Sequence, residues 1–504
     1  MTAPTARHPP ASAPPSAQPA QAQAHRQAYH RRQTRAKVQR QARPQREAAH
    51  VEALPVQHPH AAGIDSGSRS HWVCVGFTSA AASCWMQEFP AHTAGLQAIA
   101  ACLREHQVNT IALESTGIYW IPLDELLQAE GFEVLLVDPS YSHQLRGRPK
   151  TDRRDCQWLY RLHSVGLLAA AFRPDEQTCQ LRAYLRQRAN LVRQASRHVQ
   201  HLQKALEQMN LKLTEVLSDI TGVTGRTIIR AILRGTRAPE KLAKYRDKGC
   251  KASAAEIAQA LTGSYREEHL FELKLAYEAW QFSLGQVAKV DGQIALQLGR
   301  MKGDRALPPL QPKARPKRRV NAPCFDVRAA LSYVVGLDLT ESEGISALTA
   351  LTVVSAIGPG VSQFATVKKF CSWLGLCPNW KKTGGRVKSS RTRRGVNRAA
   401  QALRMAAQSL HHSQGALGGF LRRMKGRLGV QAALTATAHK RARLVYLALK
   451  HGMTYVRRSQ EEYEAQMRAK QIKALRRKAR QLGLEVVEQA SGGVGTTAAA
   501  SAQG

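Results

Sequence analysis

Acidic residues are scarce in this sequence. Its 504 residues carry 36 Asp and Glu against 74 Lys and Arg, a formal net charge of +38. With a pI near 10.5, that imbalance exceeds what solubility requires. It points to a polyanionic partner, with nucleic acid ahead of a basic contact to a membrane surface. Long apolar runs are missing too. No stretch of about 18 apolar residues could span a bilayer, and the N-terminus lacks the apolar core of a secretory signal. No membrane partner is therefore expected. The nine cysteines, among them Cys74, Cys156 and Cys250, form no C-x-x-C pair. That spacing argues against a disulfide framework or a structural zinc site, and predicts an intracellular chain with reduced thiols.

Composition divides the chain. Residues 1–60 are rich in Pro, Ala, Gln and Arg, and their first acid is Glu47. They lack the material for a core and are expected to form a disordered basic tail. From "AAGID" onward the pattern predicts β-β-β-α-β-α-β-α. The strands lie in "AAGID", "HWVCVGF", "SCWMQEF", "TIALES" and "EVLLVD", and the last helix opens at Thr151 or Asp152 as N-cap. This order predicts a mixed sheet flanked by helices over residues 61–172. Residues 173–305 read as a helical region. There "LRAYLRQRANLVRQASRHVQHLQKALEQMNLKL" repeats apolar residues at three- and four-residue spacing and is expected to pair with "YREEHLFELKLAYEAWQFSLGQVAKVDGQIALQLGRM". A basic, Pro-rich linker follows at 306–326. A mostly helical second domain is expected at 327–456, then a basic helix and loose tail at 457–504.

Against this background, four acids stand out. Asp65 ends the first strand, Glu114 lies near the end of the fourth, and Asp152 and Asp155 open the last helix, sharing a face at i and i+3. If strands one and four are neighbours, all four carboxylates can meet at one sheet edge. Clustered carboxylates repel unless cations neutralise them. Hard cations such as Mg²⁺ take oxygen ligands, and two of them about 3.5–4 Å apart can clamp a phosphodiester. Arg146, Arg148, Lys150, Arg153 and Arg154 would then grip the flanking backbone. The bland alternative is that Asp65 is a turn residue and Asp152 and Asp155 a solvated helix start.

The segments "GID", "ALESTGIYW" and "GRPKTDRRDCQWLYRL" resemble the DEDD transposases of bacterial insertion sequences, the "one-ten" insertion-sequence family. That family includes Piv-type invertases and bridge-RNA-guided recombinases. The resemblance runs roughly from Gly63 to Tyr455. It implies an α/β RuvC-like domain of RNase H fold, a helical coiled-coil middle used for dimerisation, and a mostly α C-terminal transposase domain. It also implies an Mg²⁺-binding tetrad at Asp65, Glu114, Asp152 and Asp155, with two ions and Mn²⁺ as a substitute. DNA, a guide RNA and a homo-oligomer, dimer or tetramer, are the implied partners, in a cytoplasmic, nucleoid-associated bacterial protein.

Further on, "KKTGGRVKSSRTRRG" gathers Lys381, Lys382, Arg386, Lys388, Arg391, Arg393 and Arg394 around Gly384 and Gly385. Its charge suits a mobile loop against a nucleic-acid backbone. A G-x-G turn at Gly358–Gly360 is a weaker phosphate-binding signal. The resemblance extends to this "WLGLCP…GG" block, where family members commonly place a nucleophilic serine before the glycine pair. Here that position holds Thr383, whose extra methyl restricts rotamer choice; Ser389 and Ser390 are the fallback hydroxyls. The same acids would serve a structure-selective endonuclease or junction resolvase that uses water as nucleophile. A non-catalytic nucleic-acid-binding scaffold would need only the charge.

Overall fold

The computed structural model describes residues 54–76, 84–139, 151–302, 310, 321–393, 395 and 397–486. Residues 1–53, 487–504 and most of the expected linker fall outside these. Residues 54–60, expected within the disordered tail, are instead held in place, the Gln57 and His58 N–H groups donating to the Ser164 carbonyl at 2.8 and 2.9 Å. The chain divides into two compact units, Met1–Arg173 and Pro174–Gly504.

The first unit is a mixed α/β layer. Its elements are β1 (Ala61–Ser66), β2 (Ser70–Gly76), β3 (Cys84–Pro90), α1 (Thr93–Glu105), β4 (Thr110–Glu114), α2 (Trp120–Ala129), β5 (Glu133–Val137) and α3 (Asp152–Ser164). The five strands line up as β3-β2-β1-β4-β5. Neighbours β3, β2 and β1 pair antiparallel as a meander. By contrast β1, β4 and β5 pair parallel, with α1 and α2 supplying the crossovers. Buried on both faces, β1 is apolar almost throughout rather than alternating.

One face packs Ala62, Ile64, Val73, Ile111 and Leu113 under Leu96, Ile99 and Leu103 of α1 and Leu123 and Leu127 of α2. Each such buried Leu or Ile contributes about 1.5–3 kcal/mol. On α1, Leu96, Ile99, Ala100 and Leu103 recur at helical spacing, and His92 caps the helix by accepting the Gly95 N–H at 3.2 Å. The opposite face belongs to α3, whose Leu159 packs with Ala112 and Val137.

Among the described residues, the second unit is helical apart from one hairpin. It starts with α4 (Glu176–Gln208), four short helices α5 (Leu213–Val216), α6 (Val223–Leu233), α7 (Pro239–Ala243) and α8 (Ala254–Ala260), and then α9 (Glu267–Lys302). Leu181, Arg188, Ala195 and Leu202 of α4 are buried at seven-residue intervals, the seam spacing of a coiled coil. Their partner is α9, as the sequence pattern predicts. The order of contacts, Gln177 with Gln297 and Arg188 with Asp291, makes the pair antiparallel.

After α9 come α10 (Val327–Val335), α11 (Ala347–Ile357), α12 (Val367–Trp373), β6 (Lys381–Thr383), β7 (Arg386–Ser389), α13 (Arg398–Gln408), α14 (Ala416–Leu428), α15 (Val430–His451) and α16 (Met453–Gln481). The basic helix expected near the C-terminus is the end of α16, which begins well upstream of it. Small residues on α15, including Ala433, Ala438 and Ala442, let neighbouring helices approach closely. Arg441 is fully buried there, donating to the carbonyls of Gly344, at 3.1 Å, and Glu343. Among the described residues no helix is long and apolar enough to cross a membrane.

Candidate functional site

The acids of the first unit owe their positions to side-chain alternation and one glycine. Ala62 and Ile64 face the α1/α2 core, so Gly63 and Asp65 turn toward α3. On β4, Ile111 and Leu113 likewise face the core, leaving Thr110, Ala112 and Glu114 on the α3 side. Parallel pairing sets Ile64 beside Leu113. Asp65 and Glu114 therefore follow one another at the C-terminal ends of adjacent strands. The Ser66 hydroxyl donates to the Glu114 carbonyl at 3.2 Å and ties the two ends together.

Helix α3 runs back over this face. Its Thr151 cap accepts the Arg154 N–H at 3.4 Å. His163 reaches Thr110 at 3.0 Å, and one turn earlier Leu159 packs on Ala112. Four residues of helix advance about 6 Å and two of strand about 6.7 Å. The next step therefore brings Asp155 to the Glu114 end, with Asp152 one turn beyond. This close approach requires Gly63. A Cβ there would lie 2.9 Å from the Tyr160 Cα and closer still to the Tyr160 nitrogen and the Cys156 carbonyl oxygen.

Glu114 is buried, and its Oε1 accepts the Thr116 hydroxyl at 2.7 Å. Asp65 and Asp155 are half-buried, while Asp152, Arg153 and Arg154 are exposed. The donor set consists of carboxylate oxygens, the chemistry a hard divalent cation takes. The side chains nevertheless do not close into a cage: among the described residues, no three His, Cys, Asp or Glu groups stand near enough together to hold a metal. Arg146, Arg148 and Lys150 lie outside the described residues. Beneath the acids, hydrogen bonding to Cys156, together with burial and the neighbouring Cys84, pushes the Cys74 thiol far above its ordinary range. It stays protonated and is no nucleophile.

In the second unit the expected mobile loop is instead a β-hairpin. Thr383 pairs with Arg386 across Gly384 and Gly385, both at positive φ (54° and 73°). Two consecutive residues with positive φ form the tight turn whose twist matches paired strands, and glycine adopts that conformation without strain. Bridges of Pro378 to Thr392 and of the Asn379 N–H to the Arg391 carbonyl (3.0 Å) close its base. Thr383, Lys381, Lys382, Arg386, Lys388, Ser390, Arg391 and Arg393 are exposed, and the Ser389 hydroxyl accepts the Arg391 N–H at 3.3 Å. Cross-strand pairing puts the Arg386 side chain on the same face as the Thr383 hydroxyl. Arg394 lies outside the described residues. Gly358 ends α11 at a positive φ of 87°, its N–H donating to Val354, as an ordinary helix terminus does.

Sequence reasoning missed Thr116, Ser66 and the pairing role of Arg386. Thr116 follows Glu114 by two residues, a local signal that could have been read. The other two depend on strand neighbours.

Two family profiles match this framework. One, described as Transposase (DEDD_Tnp_IS110), covers residues 62–211, from β1 through α4. The other, described as Transposase IS116/IS110/IS902 family, covers residues 338–418, which include the hairpin. The chain belongs to the IS110-type DEDD transposases. No curated protein matches it. Membership makes DNA the partner of this transposase and strand cutting and rejoining its class of reaction. The matched segments hold the acids of the first unit and the hydroxyls of the second.

Proposed function

We propose that this transposase recombines DNA through a protein–DNA ester, with a RuvC-like first unit of RNase H fold preparing the phosphodiester and Thr383 supplying the nucleophile. The observation that carries this reading is the common edge of Asp65, Glu114 and Asp155, held by parallel β1–β4 pairing and by the passage of α3 over Gly63. Asp65, Glu114, Asp155 and Asp152 would hold Mg²⁺, one or two ions, with Mn²⁺ as a substitute. A metal held there would supply polarisation of the phosphate and favour the ionised hydroxyl.

The chain's own groups do the rest. Thr116 holds the Glu114 carboxylate in one orientation, and Arg153 and Arg154 meet the flanking phosphates. Thr383 Oγ1 forms a bond to phosphorus as the bond to the leaving deoxyribose oxygen breaks, and that oxygen takes the proton. Arg386, beside it on the hairpin, neutralises the phosphoryl oxygens. Attack by a hydroxyl of another strand reverses the step and releases Thr383, so no external energy is needed. Ser389 and Ser390 are the alternative nucleophiles. A guide RNA and a dimer or tetramer built on the α4–α9 pair complete the reading, in the cytoplasm of a bacterium.

The test incubates the protein with Mg²⁺, DNA made from the element's ends and RNA transcribed from its flank, then resolves the products on a denaturing gel. A covalent protein–DNA band that maps to Thr383 by mass spectrometry is expected, and Asp155→Asn should abolish it while DNA binding persists. Cleaved DNA without attached protein would replace this reading with the water-using nuclease. An undiminished adduct in Asp155→Asn would remove Asp155 from the chemistry, and DNA binding with neither cleavage nor adduct in the parent would leave only the non-catalytic scaffold.

A further inference from the structure

A second basic site lies in the helical unit, away from the hairpin's exposed strands. Helices α4, α11 and α13 enclose a cleft of about 670 Å³. From α4 come Arg182, Arg186 and Arg193, at positions 0, 4 and 11 of one helical stripe; from α13 comes Arg398, the first residue after its Asn397 cap. Among the described residues lining the cleft there is no Asp or Glu.

The arginines differ in what they do. Arg188 is committed to the buried Asp291, and Arg182 donates to the carbonyls of Ser355 (3.2 Å) and Ala356 (2.8 Å). These two hold helices together. Arg186, Arg193 and Arg398 have no carboxylate partner among the described residues; Arg193 donates only to the Asn190 side chain. Arg398 is held below its ordinary value by partial burial, and then by the facing charges of Arg186 and Arg193. All three are exposed, and the mutual repulsion of their charges is relieved when an anion enters.

The kind of anion follows from the lining. Its cations are all arginine, whose planar forks match phosphate oxygens in pairs, and none is lysine. Trp373 and Met405 add an apolar wall against which sugars or bases can pack. In sequence, Arg398 follows the last hairpin strand, which ends at Ser389, by nine residues.

We propose that Arg186, Arg193 and Arg398 form a phosphate-backbone site that grips a nucleic-acid strand and takes no part in its chemistry. The proposal rests on the transposase reading for its ligand class. Each phosphate contact adds about 0.9 to the slope of log affinity against log salt. Replacing all three by alanine should therefore lower that slope by roughly 2.7. Between 50 and 200 mM salt, the parental dissociation constant should then rise about 40-fold more than that of the variant.

The experiment measures fluorescence anisotropy across salt for the full chain and for R186A/R193A/R398A. Its probes are double-stranded DNA, single-stranded DNA and RNA of one sequence. The polymer whose slope falls is the occupant, and an equal fall for all three makes the site a general backbone clamp. Because the triad repels itself, the alanine variant should melt no lower than the parent, and the triple lysine variant should restore the slope. An unchanged slope with every probe overturns the proposal, as does a loss that lysine fails to restore. If the slope is unchanged while covalent adduct still forms, the cleft alone is refuted. A parental chain that binds none of the probes refutes the transposase reading with it.

Discussion

Replacing Gly63 by alanine adds one methyl at the point where β1 and α3 are closest. The new Cβ would stand 2.9 Å from the Tyr160 Cα, and nearer still to the Tyr160 nitrogen and the Cys156 oxygen, where ordinary contact needs 3.4–4 Å. These are backbone atoms of a helix and cannot swing aside. The helix must withdraw by roughly 1 Å, since packed interiors leave no void to absorb a methyl. Overpacking of this kind costs about 1–3 kcal/mol. At about 2–4 °C per kcal/mol for a unit of this size, the first transition should fall by some 2–12 °C.

The functional effect should be larger than the stability effect. Asp152 and Asp155 ride on α3, and a misplacement of about 1 Å can cost on the order of 100-fold in rate. Covalent-adduct formation should drop by that factor at a temperature where Gly63→Ala is still folded by circular dichroism. Gly76→Ala provides the control. Its methyl would meet the ring and hydroxyl of Tyr160, the far end of a side chain that can turn away, so α3 stays in place. It should lose some stability and keep most of its activity. Equal activities for Gly63→Ala and the parent would refute the argument that α3 positions the acids.

Two further outcomes follow from buried polar groups. Asp291→Ala strands the Arg188 charge inside the α4–α9 seam, where Asp291 takes it at 2.5 Å and also accepts the Cys324 N–H at 3.2 Å. Urea unfolding should show a loss of about 3–5 kcal/mol, largely recovered by adding Arg188→Met. His163 is buried against Thr110 and stacked on His58 at 4.9 Å, and burial first, then the His58 charge, holds its pKa down to about 4. A base with a depressed folded pKa contributes stability that is complete above its ordinary 6.5 and is lost as pH falls from there toward 4. That loss should approach about 3 kcal/mol, and His163→Gln should flatten the difference in urea midpoint between pH 7 and pH 4.

The local signals were legible because each is encoded within a few residues. The strand–helix order of the first unit, the Thr151 cap, the apolar repeat of α4 and α9 and the placement of the four acids at strand ends and a helix start could all be read from short segments. Gly384–Gly385 was legible in principle as a hairpin turn, but the surrounding charge pointed to a mobile loop, and only the backbone pairing of Thr383 with Arg386 decided the matter.

What the tertiary structure alone decided is who stands next to whom. Parallel pairing of β1 with β4 joins residues 49 apart in sequence, and Gly63 gains its meaning only from the helix that crosses it. The arginine cleft joins Arg186 to Arg398, which no periodicity links. Such neighbours are chosen by packing and by the register of distant segments, terms that arise only when the whole chain has collapsed, whereas caps, turns and amphipathic repeats are fixed by the dihedral preferences and apolar spacing of the residues themselves.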